Sequence, residues 1–179
     1  MSDSPHIILE TNRLLLRRLE KSDLDALFAL YSDEETRQYF PEKTLNVEET
    51  SQELEWFLSG HPQHPELGLW ATTLKETEQF IGRCGLLPWS INGQSEIEIA
   101  FLLDKTFWGQ GFATEAARGI VNYGFEHLGL SRLICLIDPQ NTASIRVAER
   151  IGMTLEQTLD GIDGDGIPTL MYALRKFDS

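Results

Sequence analysis

Two rhythms of apolar and polar residues run along this chain, one of period two and one of period 3.6. The first predicts strands over residues 7–19, 67–74, 79–87, 96–103, 132–138, 154–159 and 169–176. The second predicts helices over residues 24–31, with Leu24, Leu27, Phe28 and Tyr31 in helical spacing, and over 47–58, 114–128 and 141–151. A short helical piece over 34–39 is ended by Pro41. Ser22 with Asp25 three residues on reads as an acidic variant of a capping box. Gly60, Gly129 and Gly152 stand where helices should stop, and Asn92-Gly93 is a strong hairpin signal. Asp160 to Gly166 reads as a flexible hairpin connection; its D-x-D-G flavour suggests a calcium loop, but position twelve from Asp163 is Leu174 rather than Glu. The resulting order is β-α-α-β-β-β-α-β-α-β-β, a mixed α/β (α+β) layer with helices packed on a central sheet. Length makes residues 1–179 one domain, with residues 1–6 expected to be flexible.

One junction between the rhythms carries chemistry. Trp108, Gly109, Gln110, Gly111, Phe112, Ala113 and Thr114 lie between the strand ending at Leu103 and the next helix. Glycine lets the backbone approach a ligand closely, and the first helical turn has N–H groups without intrahelical partners. With the helix dipole these make a phosphate site. A Walker A loop is excluded, since no Lys follows either glycine; a dinucleotide fingerprint fails because Thr114 occupies the third glycine position. Without its surroundings the segment is equally a tight strand-to-helix turn.

The formal net charge of −13 argues against nucleic-acid binding, which needs a basic face. It suits a cationic acceptor, such as an amine or a basic protein tail, or it is a solubility charge spread over the surface. No apolar run approaches the ~20 residues of a membrane span, and the polar start is no signal peptide, so the cytoplasm is expected. Cys84 and Cys135 read as small buried strand residues, and His61 and His64 in a proline loop do not suggest a metal.

The run from Glu98 to Ala117 resembles motif A of the GNAT acetyltransferases, Q/R-x-x-G-x-G/A, with Gly111 and Ala113 in the last two fixed places and Trp108 where Gln or Arg is usual. That replacement is typical of the RimJ/RimL-like branch. Asn141 to Met153 resembles that branch's N-x-x-S-x-R-V-x-E-x-x-G-F/M, and Leu9 to Arg17 its opening E-T-x-R-L-x-L-R. The resemblance implies acetyl-CoA as donor and an amine as acceptor. It implies an oxyanion site in the backbone of Phe101, Leu102 and Leu103, where two strands splay apart. It places Asn141 on the pantetheine amide, a use compatible with helix capping, and Arg146 on a CoA phosphate or a nearby acid. Many GNATs have a Tyr seven residues after that Asn to protonate the leaving thiolate; Ala148 stands there, leaving Ser144 as the nearest polar substitute.

Glu96 and Glu98 alternate with Ile97 and Ile99, so both face one side of their strand. They are solvated surface acids, or Glu98, which matches a Glu of the RimJ/RimL-like pattern, is a base acting through a water or an anchor for the amine. An α-amine, with pKa ~8, asks less of a base than a lysine at ~10.4. The leading expectation is N-acetylation of a protein N-terminal α-amine, by a monomer or homodimer. A small amine acceptor and a non-catalytic acyl-CoA-binding module are the alternatives. The acceptor site is expected in loops near residues 36–43, 88–94 and 160–168.

Overall fold

The computed structural model describes residues 6–162 and 166–178. The centre of the 160–166 connection and nearly all of the segment expected to be flexible lie outside them. The chain forms β1 (Ile7–Glu10), β2 (Leu14–Arg18), α1 (Leu24–Tyr31), α2 (Val47–Ser59), β3 (Gly68–Leu74), β4 (Phe80–Ile91), β5 (Gln94–Leu103), α3 (Phe112–Asn122), β6 (Arg132–Ile137), α4 (Thr142–Arg150), β7 (Thr154–Leu159) and β8 (Thr169–Arg175). The strands make one sheet in the order β1-β2-β3-β4-β5-β6-β8-β7. Every neighbouring pair is antiparallel except β5 and β6, which run parallel and are joined through α3.

Three expectations are corrected. The strand over 7–19 is two antiparallel strands, because the Thr11 amide donates to the Leu14 carbonyl and the Thr11 hydroxyl accepts from the Leu14 amide, folding a tight turn. Residues 34–39 are turns rather than a helix; Asp33 takes the Thr36 amide on its side chain and the Arg37 amide on its carbonyl. The capping box before α1 pairs Glu20 with Asp23, not Ser22 with Asp25. Asp23 is fixed there by a bidentate Arg17 at 2.8 Å. The hairpin at Asn92-Gly93 is present, with φ of 51° and 77°, both positive as a type I′ turn requires.

Alternation along the strands gives the sheet two different faces. One carries Leu14, Leu16, Cys84, Leu86, Ile99 and Leu133 against α3 and α4 in the main core. The other carries Ala71 and Leu102 against Leu27, Leu30, Tyr31 and Leu54 of α1 and α2. Further along that second face Ile134, Met171 and Ala173 form a third cluster, with Trp89 and Leu136 at its margin. Gly82 is required by close approach: a Cβ there would stand 2.2 Å from the Leu102 carbonyl oxygen. Cys84 and Cys135 are free and buried. Among the described residues no helix is long and apolar enough to cross a membrane.

Candidate active site

The parallel strands β5 and β6 pair at one position, Glu98 with Ile134, and part beyond it. Ile99 aims its carbonyl at β6, where the Cys135 thiol meets it at 3.4 Å. Backbone groups of a strand alternate sides, so Phe101 and Leu103 aim the same way, into the gap. Leu102 turns its carbonyl toward β4 and Gly82 instead. Of the three backbone positions expected to line the gap, two therefore face it. The Leu103 carbonyl is occupied by the Trp108 indole N–H at 2.9 Å, which folds the loop back over the strand end.

The loop after β5 begins with a 3-10 turn, residues 105–107, capped by the Asp104 carboxylate, which accepts from the Thr106 amide and hydroxyl. Gly109 and Gly111 both have positive φ, and Gly111, at φ 81° and ψ 6°, is the N-cap of α3. A left-handed N-cap explains why the helix opens at Phe112 rather than at Thr114, and why glycine stands there. Gln110 and Gly111 are exposed, Phe112 and Thr114 buried, and Ala113 lies between. Sequence reading missed Arg13 here. Its guanidinium lies 4.2 Å from the Phe112 ring centroid, donates to the Gln110 carbonyl at 3.1 Å and pairs with Glu115 at 2.7 Å. Glu115 also accepts from the Arg13 amide and the Thr11 hydroxyl, so the β1–β2 turn is clamped to the start of α3. A groove of about 570 Å³ runs along the outer side of α3, lined by Arg13, Gly111, Glu115, Arg118, Asn122 and Arg150. It lies away from Glu98.

Across the gap, Asn141 caps α4 by accepting the Ser144 amide at 3.1 Å. Ser144 is half-buried, and its hydroxyl has no hydrogen bond among the described residues. Arg146 is exposed on the same helix. Ala148 is fully buried in the main core, so no acid stands at that position.

The two acids of β5 have different surroundings. Glu96 is buried and paired with Arg132 at 2.9 Å, which also grips Glu156 at 2.8 Å; this is a structural ion-pair cluster. Glu98 sits where β5 and β6 begin to separate, on the face bearing α1 and α2. Its carboxylate accepts the Trp89 indole N–H at 2.6 Å. Burial pushes its pKa up to about 7, against the opposing pull of Trp89, Arg83 and the Leu136 amide. The solvated-surface alternative is thereby corrected for both acids: Glu96 is buried, and Glu98 is only partly open to solvent.

Further along the face that carries Glu98 lie residues that sequence reading did not single out. Arg83, on β4, donates from Nε to the Tyr31 hydroxyl at 2.9 Å, and that hydroxyl donates to Glu53 at 2.6 Å. Arg37 stacks on Tyr31 and Phe40. One signal was available: Arg83 is a lone charge inside the run Ile81-Gly82-Arg83-Cys84-Gly85-Leu86.

A family model described as Acetyltransferase (GNAT) domain matches residues 13–154. YkkB of Bacillus subtilis (strain 168), itself uncharacterized, is 36% identical over 154 residues, covering 84% of this chain and 87% of that protein. The crystal structure of an acetyltransferase from Agrobacterium tumefaciens superposes with a TM-score of 0.77 at 27% identity, covering 98% of this chain and 96% of that one. A structure of RimL, a ribosomal-protein α-N-acetyltransferase in complex with coenzyme A, has the same fold, with a TM-score of 0.77 at 22% identity over 97% of this chain and 100% of its own. The chain belongs to the GNAT family and is an N-acetyltransferase.

Proposed function

We propose that this enzyme uses acetyl-CoA to acetylate a protein N-terminal α-amine, with Glu98 as the base at the apex of the β5–β6 gap. The observation that carries the reading is the Glu98 carboxyl itself, partly buried at the point of separation, held by Trp89 and with a pKa of about 7. A base poised near the working pH is efficient, because it is both available and strong enough. The acceptor arrives largely as ammonium; Glu98, through a water, takes the proton that must leave before the nitrogen can attack.

The residues fit acetyl-CoA. The exposed loop at Gly109–Gly111 opens a helix, where free amides and the dipole favour phosphates. Arg13, paired with Glu115, braces the loop, and the exposed Arg146 of α4 is the cation the resemblance assigns to a CoA phosphate, in a chain of net charge −13. Phe101 and Leu103 offer backbone N–H groups to the gap, suited to an oxygen on which charge develops. Asn141 combines its capping oxygen with an amide group able to hold a pantetheine amide. When bound, acetyl-CoA supplies an activated thioester in the gap. The thiolate's proton comes from Ser144 or from water, since Ala148 carries none.

The protein α-amine is favoured by the resemblance to the RimJ/RimL-like branch, and by chemistry. Its pKa of ~8 leaves a smaller protonation penalty than a lysine or an alkyl polyamine presents. The test is a CoA-release assay on N-terminal peptides and small amines side by side. Turnover confined to, or at least tenfold faster with, peptides carrying a free α-amine is expected. Turnover confined to small polyamines would overturn the acceptor assignment, and no CoA release from any amine would overturn the reaction.

A further inference from the structure

On the acceptor face of the sheet two guanidinium groups are buried with no carboxylate among the described residues hydrogen-bonded to either. Arg37 is 3% exposed and Arg83 5%. Both flank the same two rings: Arg37 lies 5.0 Å from the Tyr31 centroid and 4.3 Å from that of Phe40, and Arg83 lies 5.5 Å and 5.6 Å from them. Arg83 makes one hydrogen bond, from Nε to the Tyr31 hydroxyl. Its two terminal nitrogens have no hydrogen-bond partner among the described residues. Arg37 donates from Nε to the Lys43 carbonyl and forms a long ion pair with the exposed Glu42 at 3.9 Å. Glu53, the one carboxylate inside the cluster, is engaged by Tyr31 and hydrogen-bonds neither arginine.

This is an unfavourable arrangement for a purely structural cluster. Buried charges are ordinarily paired, and two like charges near each other raise the cost. Burial and the Arg83 charge together push the pKa of Arg37 down, while Tyr31 and Glu53 hold that of Arg83 up against its burial, so the unfavourable balance falls on Arg37. Elsewhere the same chain pairs its arginines directly, Arg17 with Asp23 and Arg132 with Glu96 and Glu156. An incoming anion would complete the cluster, and a planar guanidinium with free terminal N–H groups is matched to a carboxylate. Among the buried groups two guanidiniums against the Glu53 carboxylate leave one positive charge, faced among the described residues only by the exposed Glu42 at 3.9 Å from Arg37, which suits a monoanion better than a phosphate dianion.

The position relative to Glu98 fixes what carries that anion. Arg83 pairs across the ladder with Leu102 and Glu98 with Leu87, two pleat repeats apart on one face. Between them lie Gly85 and Ala100, which place little side chain in the way. The separation is about 14 Å between backbone positions and is narrowed by the long side chains reaching over the floor.

Resting on the amine-acceptor reading above, we propose that Arg37 and Arg83 form a carboxylate receptor, so that the acceptor is an amine bearing a carboxylate a few bonds from its nitrogen. The carboxylate belongs either to an acidic side chain at a peptide N-terminus or to a free amino acid. Both sources are tested with matched pairs: glutamyl against glutaminyl N-terminal peptides, and free amino acids against their amides. Calorimetry on the full chain saturated with CoA measures binding without requiring turnover. At least one acid member is expected to bind tenfold or more tightly than its amide, and the pair in which this occurs identifies the source. Arg37→Gln is expected to bring that ratio close to one while CoA affinity is unchanged. Acid and amide binding alike, or neither binding, would overturn the receptor. A ratio unmoved in a folded Arg37→Gln protein would also overturn it. If that variant does not fold, the comparison in the parent protein decides. Acid-selective binding with no CoA release would uphold the receptor and sink acetyl transfer, so the two failures are distinguishable.

Discussion

Glu98 is a carboxyl kept from full hydration by the sheet beneath it and the Trp89 indole beside it. Its stability consequence has a definite sign. The folded group holds its proton to about pH 7, while an ordinary Glu releases it near 4.5. Between those values the folded state binds more protons than the unfolded, so this group makes stability fall as pH rises, and the loss is complete above pH 7. Glu98→Gln removes that contribution. Urea midpoints measured at about pH 5 and about pH 8 should therefore favour the variant over the parent more at the higher value. A difference between variant and parent independent of pH would contradict the raised pKa. Ser144→Ala probes the other proton. If Ser144 protonates the thiolate, turnover should fall on the order of 10²-fold; a rate within about twofold of the parent assigns that proton to water. At this scale the sequence singled out Glu98, Asn141 and the glycine loop as candidates, because family motifs and turn chemistry mark them. It could not identify Trp89, Arg83, Arg13 or Arg37 as partners in a site, since the neighbours of the first two are set by strand register and those of the last two by how their turns pack on helices.

The elements of the site are the ends of β5 and β6 and the starts of α3 and α4. Period-two and period-3.6 patterns made nearly all of these legible. The turn inside residues 7–19 was not, because Thr11-Asn12-Arg13 contains neither Gly nor Pro and the apolar alternation continues through it. The splay of β5 from β6 was legible only through the resemblance; nothing local in Phe101 to Leu103 distinguishes a strand that loses its partner from one that keeps it. Gly111→Val should weaken CoA binding more than it weakens folding. Its φ of 81° is costly for a β-branched residue, and the loop amides would move off the phosphates. Calorimetric CoA affinity compared with urea unfolding checks this; equal CoA affinity in variant and parent would remove the loop from phosphate binding. Asn141→Ala should cost about 1 kcal/mol as a lost cap. It should also reduce CoA affinity, and a change in stability alone would leave Asn141 as a cap and nothing more.

For the whole molecule, a net charge of −13 and a site for a polyanionic co-substrate are compatible because charge acts locally. Arg13 packs on the loop and Arg146 is exposed on α4, while the buried Arg37 and Arg83 lie on the face bearing α1 and α2. The global charge therefore did not foretell the charge of either site. CoA at ~100 times its dissociation constant should add about 2.7 kcal/mol of apparent stability without any metal, read as a rise in melting temperature. The most direct test of the central claim is the pH dependence of kcat/KM for acetyl transfer in the parent and in Glu98→Gln, on the best amine of the panel. The parent is expected to rise through an apparent pKa near 7, with a further rise as the amine itself deprotonates. The variant should lack the limb near 7, fall roughly 10²-fold below the parent at neutral pH, and approach it as pH nears the amine's own pKa. A variant that follows the parent at every pH would contradict Glu98 as the base.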